Sequence, residues 1–150
     1  MKEILLPHPE KKSREVTEKD LKVVLSDMKE LHRLCSVPIG GYRGGEAIAH
    51  VQIEGKDPLR FYVTKRGKVI INPKIAGTKQ PYMHKEGCMS FPTKPPKEVS
   101  RHNMVEVDFI EASIEDEKID LEDIKTRNFS GMEAAVVQHE IDHFNLNLLY

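Results

Sequence analysis

The sequence predicts an α+β fold, and three observations carry that expectation: an amphipathic helical stripe in the first quarter, a middle of short β-type runs broken by turn residues, and a capped helical pattern near the end. The first helix is marked by Thr17 as N-cap and Asp20 at the capping-box position. Leu21, Val24, Leu25, Met28, Leu31 and Cys35 then follow a 3–4–7 spacing, one apolar stripe that Pro38 and Gly40-Gly41 bring to an end. Residues 40–47 contain Gly40, Gly41, Gly44 and Gly45, but the lysine and Ser/Thr of a phosphate-binding loop are absent. The segment reads as a flexible loop that brings backbone close to a ligand.

Ala47–Ile53, Arg60–Val63, Val69–Ile71 and Val105–Ile110 are short runs rich in β-branched or aromatic residues, the composition of strands. Glu54-Gly55, Lys65-Arg66-Gly67 and Asn72-Pro73 are the turn signals between them. Phe91–Pro96 contains Pro92, Pro95 and Pro96 and is expected to be extended, and the charged stretch 115–125 to be a solvated hairpin or loop. Ser130 and Glu133 form a Ser-x-x-Glu capping box, after which Met132, Ala135, Val136, His139 and His143 recur at helical spacing.

The chain has 150 residues, which suits a single domain over 1–150. Its 23 Lys+Arg balance 24 Asp+Glu, which excludes the charge excess of a nucleic-acid binder. No apolar run approaches a membrane span, and the N-terminus has neither signal-peptide nor transit-peptide character, so a cytoplasmic location is expected. In that reducing setting the two cysteines, Cys35 and Cys88, are expected as thiols. Cys35 ends an apolar stripe and reads as packing, whereas Cys88 lies among turn and polar residues in Glu86-Gly87-Cys88-Met89-Ser90 and suits a reactive or ligating role.

The strongest chemical signal is His139-Glu140-Ile141-Asp142-His143. Residues i and i+4 of a helix share a face one turn apart, so two imidazoles there can bind one metal ion. Glu140 is placed to reach a metal-bound water rather than the metal, which is the HExxH arrangement. Two histidines on an apolar face can also be ordinary core residues. The capped helix, the inward direction of both histidines and an available cysteine favour the metal. A catalytic site needs a third protein ligand and an open position, and Cys88 is the natural candidate. A thiolate suits Fe²⁺, Zn²⁺, Co²⁺ or Ni²⁺; the metal lowers the pKa of its water, and Glu140 takes the proton and passes it to a leaving amine.

These residues lead to a family. Glu86-Gly87-Cys88-Met89-Ser90 resembles the EGCLS segment of peptide deformylases, with Met for Leu, and Gln138–His143 matches their QHExDH helix. Gly45–Gln52 is similar to their GxGxAAPQ segment, and Ile4-Leu5 with Pro7 and Pro9, and Val69–Pro73, resemble the usual opening and "NP" strand. The resemblance implies antiparallel β-sheets around a central C-terminal helix carrying HExxH. It implies hydrolysis of the N-formyl group from the formylmethionine of nascent peptides, with Fe²⁺ favoured and Zn²⁺, Ni²⁺ or Co²⁺ as substitutes. Cys88, His139 and His143 would be the ligands and Glu140 the acid/base, with Gln52 and the backbone N–H of Met89 stabilising the oxyanion. Ile48, Met132, Ala135 and Val136 would line the methionine pocket; Gly45, Glu46, Ala47, Glu86 and Gly87 would bind the peptide, with backbone of Glu46, Ala47 and Gly87 pairing with it in β fashion. Glu86 and Arg101 are expected to pair beside the metal loop, and Asp142 either orients a neighbour or lies on the surface. The expected partners are N-formylmethionyl peptides at the ribosome exit, met by a monomer.

The sequence also departs from the family pattern. Glu46-Ala47 stands where an apolar residue and glycine are usual, His50-Val51 replaces Ala-Pro, and Leu146 replaces a glycine after the helix. His50 is expected to be structural or at the rim. The chain ends soon after the helix, which resembles truncated phage deformylases. Two other functions share the motif: an HExxH metallopeptidase, which lacks a further downstream ligand here, and a non-catalytic nascent-chain binder with a closed site.

Overall fold

A computed structural model describes residues 11–36, 46–52, 57–87 and 95–147. A 3₁₀ turn at Glu18–Asp20 leads into α1 (Leu21–Ser36), where Asp20 accepts hydrogen bonds from the Thr17 N–H (2.8 Å) and hydroxyl (3.0 Å). Val24, Met28, Leu31 and Cys35 of the expected stripe are fully buried. Among the described residues five strands follow: β1 (Ala47–Ala49), β2 (Phe61–Thr64), β3 (Lys68–Glu86), β4 (Lys97–Ser113) and β5 (Lys125–Ser130). The second helix, α2 (Gly131–Phe144), carries the HExxH residues.

The strands pair antiparallel, in the order β1-β2-β3-β4-β5. The antiparallel β-structure with a C-terminal helix is as expected, and its strands form one continuous sheet among the described residues. Its two faces bury different sets of side chains, as the two-residue period of a strand requires. Ile48, Phe61, Val63, Val69 and Ile71 pack with the α1 stripe, whereas Ala47, Ala49, Tyr62, Ile70, Val107 and Phe129 pack with α2.

Three elements differ from the sequence reading. The run Ala47–Ile53 is a strand only to Ala49; a 3₁₀ turn, His50–Gln52, follows, and the Ala49 N–H is taken by the Gln52 side chain (2.9 Å). Asn72-Pro73 is not a turn but a bulge inside β3, with Asn72 at φ 52°. The Asn72 carboxamide holds the bend by accepting from the Val16 N–H (2.8 Å) and donating to its carbonyl (3.0 Å). β5 was not expected at all: only Phe129 in it is buried, so it has no alternation to read.

Both ends of α2 are unusual. Ser130 is the N-cap, but its side chain makes no cap bond, Gly131 sits at φ +60°, and Glu133 pairs with Arg127 through two bonds of 3.0 Å. At the other end the Asn147 N–H donates to the Asp142 carbonyl (2.8 Å) and the Leu146 N–H to that of His143 (3.1 Å). That pattern is a Schellman cap, and Leu146 occupies its left-handed position at φ 62°, where glycine is usual.

Candidate metal centre

α2 and the end of β3 bring the chemical side chains together. His139 and His143, one helical turn apart, hold their Nε2 atoms 3.1 Å from each other with ring centroids 4.8 Å apart. Two ring nitrogens sharing one tetrahedral ion at about 2.0–2.1 Å each stand roughly 3.3 Å apart. The observed spacing therefore fits a shared ligand pair. His139, Glu140 and His143 offer donor atoms all within 4.8 Å of one another, a cluster able to hold a metal ion. Glu140 Oε2 is buried, and no described group hydrogen-bonds to it, an arrangement costly without a further occupant.

Glu86 is the hub. Its Oε1 accepts from His139 Nδ1 (2.9 Å) and from the Arg101 guanidinium (2.8 Å), and its Oε2 contacts Arg101 Nε (2.8 Å) and His84 Nδ1 (3.0 Å). Arg101 reaches on to Asp142 (2.6 Å), so one guanidinium ties β3 to α2. Holding His139 by Nδ1–H leaves the Nε2 lone pair as the ligating one. Gln138 locks the helix to β4: its carboxamide accepts from the His102 N–H and donates to the His102 carbonyl, both at 2.8 Å.

Burial opposes the Glu86 charge, but the hydrogen bonds from His139 and Arg101 outweigh it and bring its pKa down to about 2. Glu140 is pushed up to about 7, chiefly by burial, with His139 and Arg101 pulling down and Glu86 up. His143 is brought down to about 3, first by burial and then by the charges of His139 and Arg101, which keeps it the neutral imidazole that a ligand must be.

A cavity of about 220 Å³ opens beside these groups. Of the residues singled out from sequence, Glu46, Ala47, Gln52, Glu86, Gly87, Met132, Ala135, Val136, His139 and Glu140 line it. Ile48 does not. It points to the opposite face of the sheet, fully buried against α1, because one residue of register reverses a strand side chain. Gly45, Cys88 and Met89 lie outside the described residues. His84 and Lys85 also line the cavity and were missed. Counting back two residues from Glu86 along an extended strand would have found His84. His50 is away from the cavity wall and fully buried.

The chain matches the polypeptide deformylase family profile over residues 3–150. The peptide deformylase of Streptococcus gordonii is 31% identical over 130 residues, an alignment that covers 73% of this chain and 59% of that protein. The chain therefore spans less than two thirds of the length of that curated relative. A crystal structure of peptide deformylase from Thermus thermophilus superposes with a TM-score of 0.68 at 26% identity, over 97% of this chain and 80% of that one. A probable peptide deformylase from a synechococcus phage gives 0.64 at 28% identity, over 92% and 88%. No helix among the described residues is long and apolar enough to cross a membrane.

Proposed function

The chain belongs to the polypeptide deformylase family, and from that premise we propose that it hydrolyses the N-formyl group of formylmethionyl peptides, releasing formate and a free amine. One observation carries this reading: two imidazole nitrogens 3.1 Å apart on α2, with the buried Glu140 carboxylate beside them on the cavity wall. His139 and His143 would hold the metal with Cys88 as third ligand; Gly87, its neighbour in sequence, already lines the cavity. When bound, a divalent ion supplies the Lewis acidity that makes water nucleophilic near neutral pH. We assign Fe²⁺ to the site, with Zn²⁺, Ni²⁺ or Co²⁺ as substitutes.

The remaining work falls to the chain itself. Glu140 accepts the proton of the attacking water and returns it to the leaving amine; burial pushes its pKa up to about 7 in the metal-free protein, and a bound cation would pull it back towards the base form that the first transfer needs. Glu86 fixes the His139 ring, and Arg101 fixes Glu86. The Gln52 Oε1 is engaged by the Ala49 N–H, which leaves the amide's N–H end as the donor. That end would meet the charge growing on the formyl oxygen, together with the Met89 backbone N–H. Met132, Ala135 and Val136 supply apolar wall for the methionine side chain, while backbone at Gly45, Glu46, Ala47 and Gly87 pairs with the peptide. The chain would act as one catalytic domain and as a monomer, on nascent chains in the cytoplasm.

The test is direct. Anaerobically purified, iron-loaded protein is incubated with a formyl-Met tripeptide and formate is measured. Glu140→Gln should lower the rate at least about a hundredfold while iron content is retained. Absence of formate from folded, iron-loaded protein overturns the reading.

A further inference from the structure

The His50–Gln52 turn is held by a device that the reaction scheme above does not use. His50 has no exposed surface, although it stands in a three-residue turn at the edge of the sheet. Its Nδ1 accepts a hydrogen bond from the Leu59 N–H (3.1 Å). Nε2 therefore carries the proton in the neutral ring, and it donates to Asp27 Oδ2 at 2.8 Å. The ring also stacks on Phe61 at 4.7 Å and 25°. Asp27 is itself buried, on α1, at 7% exposure. One side chain thus joins the turn to α1 and to the chain entering β2. Two residues later Gln52 reaches the cavity with its oxygen bound to the Ala49 N–H.

A polar pair in a core costs free energy unless each group meets a partner, and here both ring nitrogens do. An apolar side chain could fill the space, but it would make neither the bond to α1 nor the bond to the entry of β2. Hydrogen bonds in two directions fix the ring, and the ring fixes the turn. Proline would stiffen this turn through its own backbone; the chain has His50-Val51 instead.

We propose that His50 and Asp27 are positioning residues that hold the His50–Gln52 turn and so aim the Gln52 carboxamide at the reacting carbonyl. This inference rests on the deformylase reading, in which Gln52 donates to the oxyanion. An amide displaced by a fraction of an ångström still allows substrate to bind but meets the developing charge poorly, so the loss falls on kcat rather than KM.

The experiment is a double-mutant cycle with an independent structural readout. Asp27→Ala should lower kcat for a formyl-Met tripeptide by about tenfold with KM unchanged. Asp27→Asn, which keeps an acceptor oxygen, should recover most of that loss. In a Gln52→Ala background, Asp27→Ala should cost less than about twofold, because the residue through which it acts is gone. In the Zn²⁺-substituted protein, whose metal is diamagnetic, the side-chain amide resonances of Gln52, assigned by their loss in Gln52→Ala, should be sharp in the parent and in Asp27→Asn and broadened in Asp27→Ala. Should Asp27→Ala fail to fold, Asp27→Ser, whose hydroxyl falls short of the ring, takes its place. An equal loss in both backgrounds, or Gln52 resonances as sharp in Asp27→Ala as in the parent, overturns the proposal. If the parent protein releases no formate, the deformylase reading falls, and the resonances alone decide whether the pair positions Gln52.

Discussion

Glu140→Gln should stabilise the metal-free protein, and by an amount that depends on pH. Burial raises the Glu140 pKa from 4.5 to about 7, so the folded state holds a proton that the unfolded chain has lost. Between those two values the folded protein binds more protons, and stability falls as pH rises. The contribution is complete below pH 4.5 and gone above about 7. The full span is about 2.5 pKa units, or about 3 kcal/mol at roughly 1.4 kcal/mol per unit. Most of it, about 2–3 kcal/mol, lies between pH 5 and pH 8. Glutamine fills the same space without a charge and escapes that cost. In EDTA, urea unfolding of Glu140→Gln and of the parent should therefore give a stability difference that grows by about 2–3 kcal/mol from pH 5 to pH 8. At an m-value of roughly 2 kcal/mol per molar, the midpoints should separate by about 1 M more at the higher pH. A difference that is the same at both pH values would refute the argument, because it would mean that Glu140 is ionised, or neutral, alike in the folded and unfolded chains.

Other outcomes follow from the same site and its supports. Arg101→Met leaves the Glu86 carboxylate buried without its two guanidinium hydrogen bonds, and should cost about 3–5 kcal/mol in urea unfolding, a loss that Glu86→Gln in the same chain should partly restore. Glu86 itself has its pKa depressed from 4.5 to about 2, so the stability it contributes is present above pH 4.5 and lost as pH falls to about 2; acid titration of Glu86→Gln should show a shallower fall over that window. Cys35 is pushed up to about 12, chiefly by burial, so a Cys88→Ser variant should react with iodoacetamide at pH 8 at least about a hundredfold more slowly when folded than in urea. Leu146 holds a left-handed conformation in the α2 cap, and Leu146→Gly should raise stability by up to about 1 kcal/mol, read from the unfolding midpoint.

The sequence alone determined whatever depends on a few consecutive residues. The His139–His143 pair on one helix face is a property of the 3.6-residue repeat, and the same repeat exposes the α1 stripe from Leu21 to Cys35. Tertiary structure decided what depends on pairing across the chain. Glu86 meets His139 from 53 positions away only because the β3–β4 ribbon carries it under α2. Whether Ile48 faced the cavity or the α1 core hung on the register of β1 against β2, since a strand offers both faces to neighbouring residues alike. The outer part of β3 and all of β5 are mostly exposed, so burial wrote no pattern into them; their backbone hydrogen bonds to β4 make them strands. Local geometry placed the two imidazoles, and long-range packing supplied the Glu86 carboxylate and the Arg101 guanidinium that hold His139 in position.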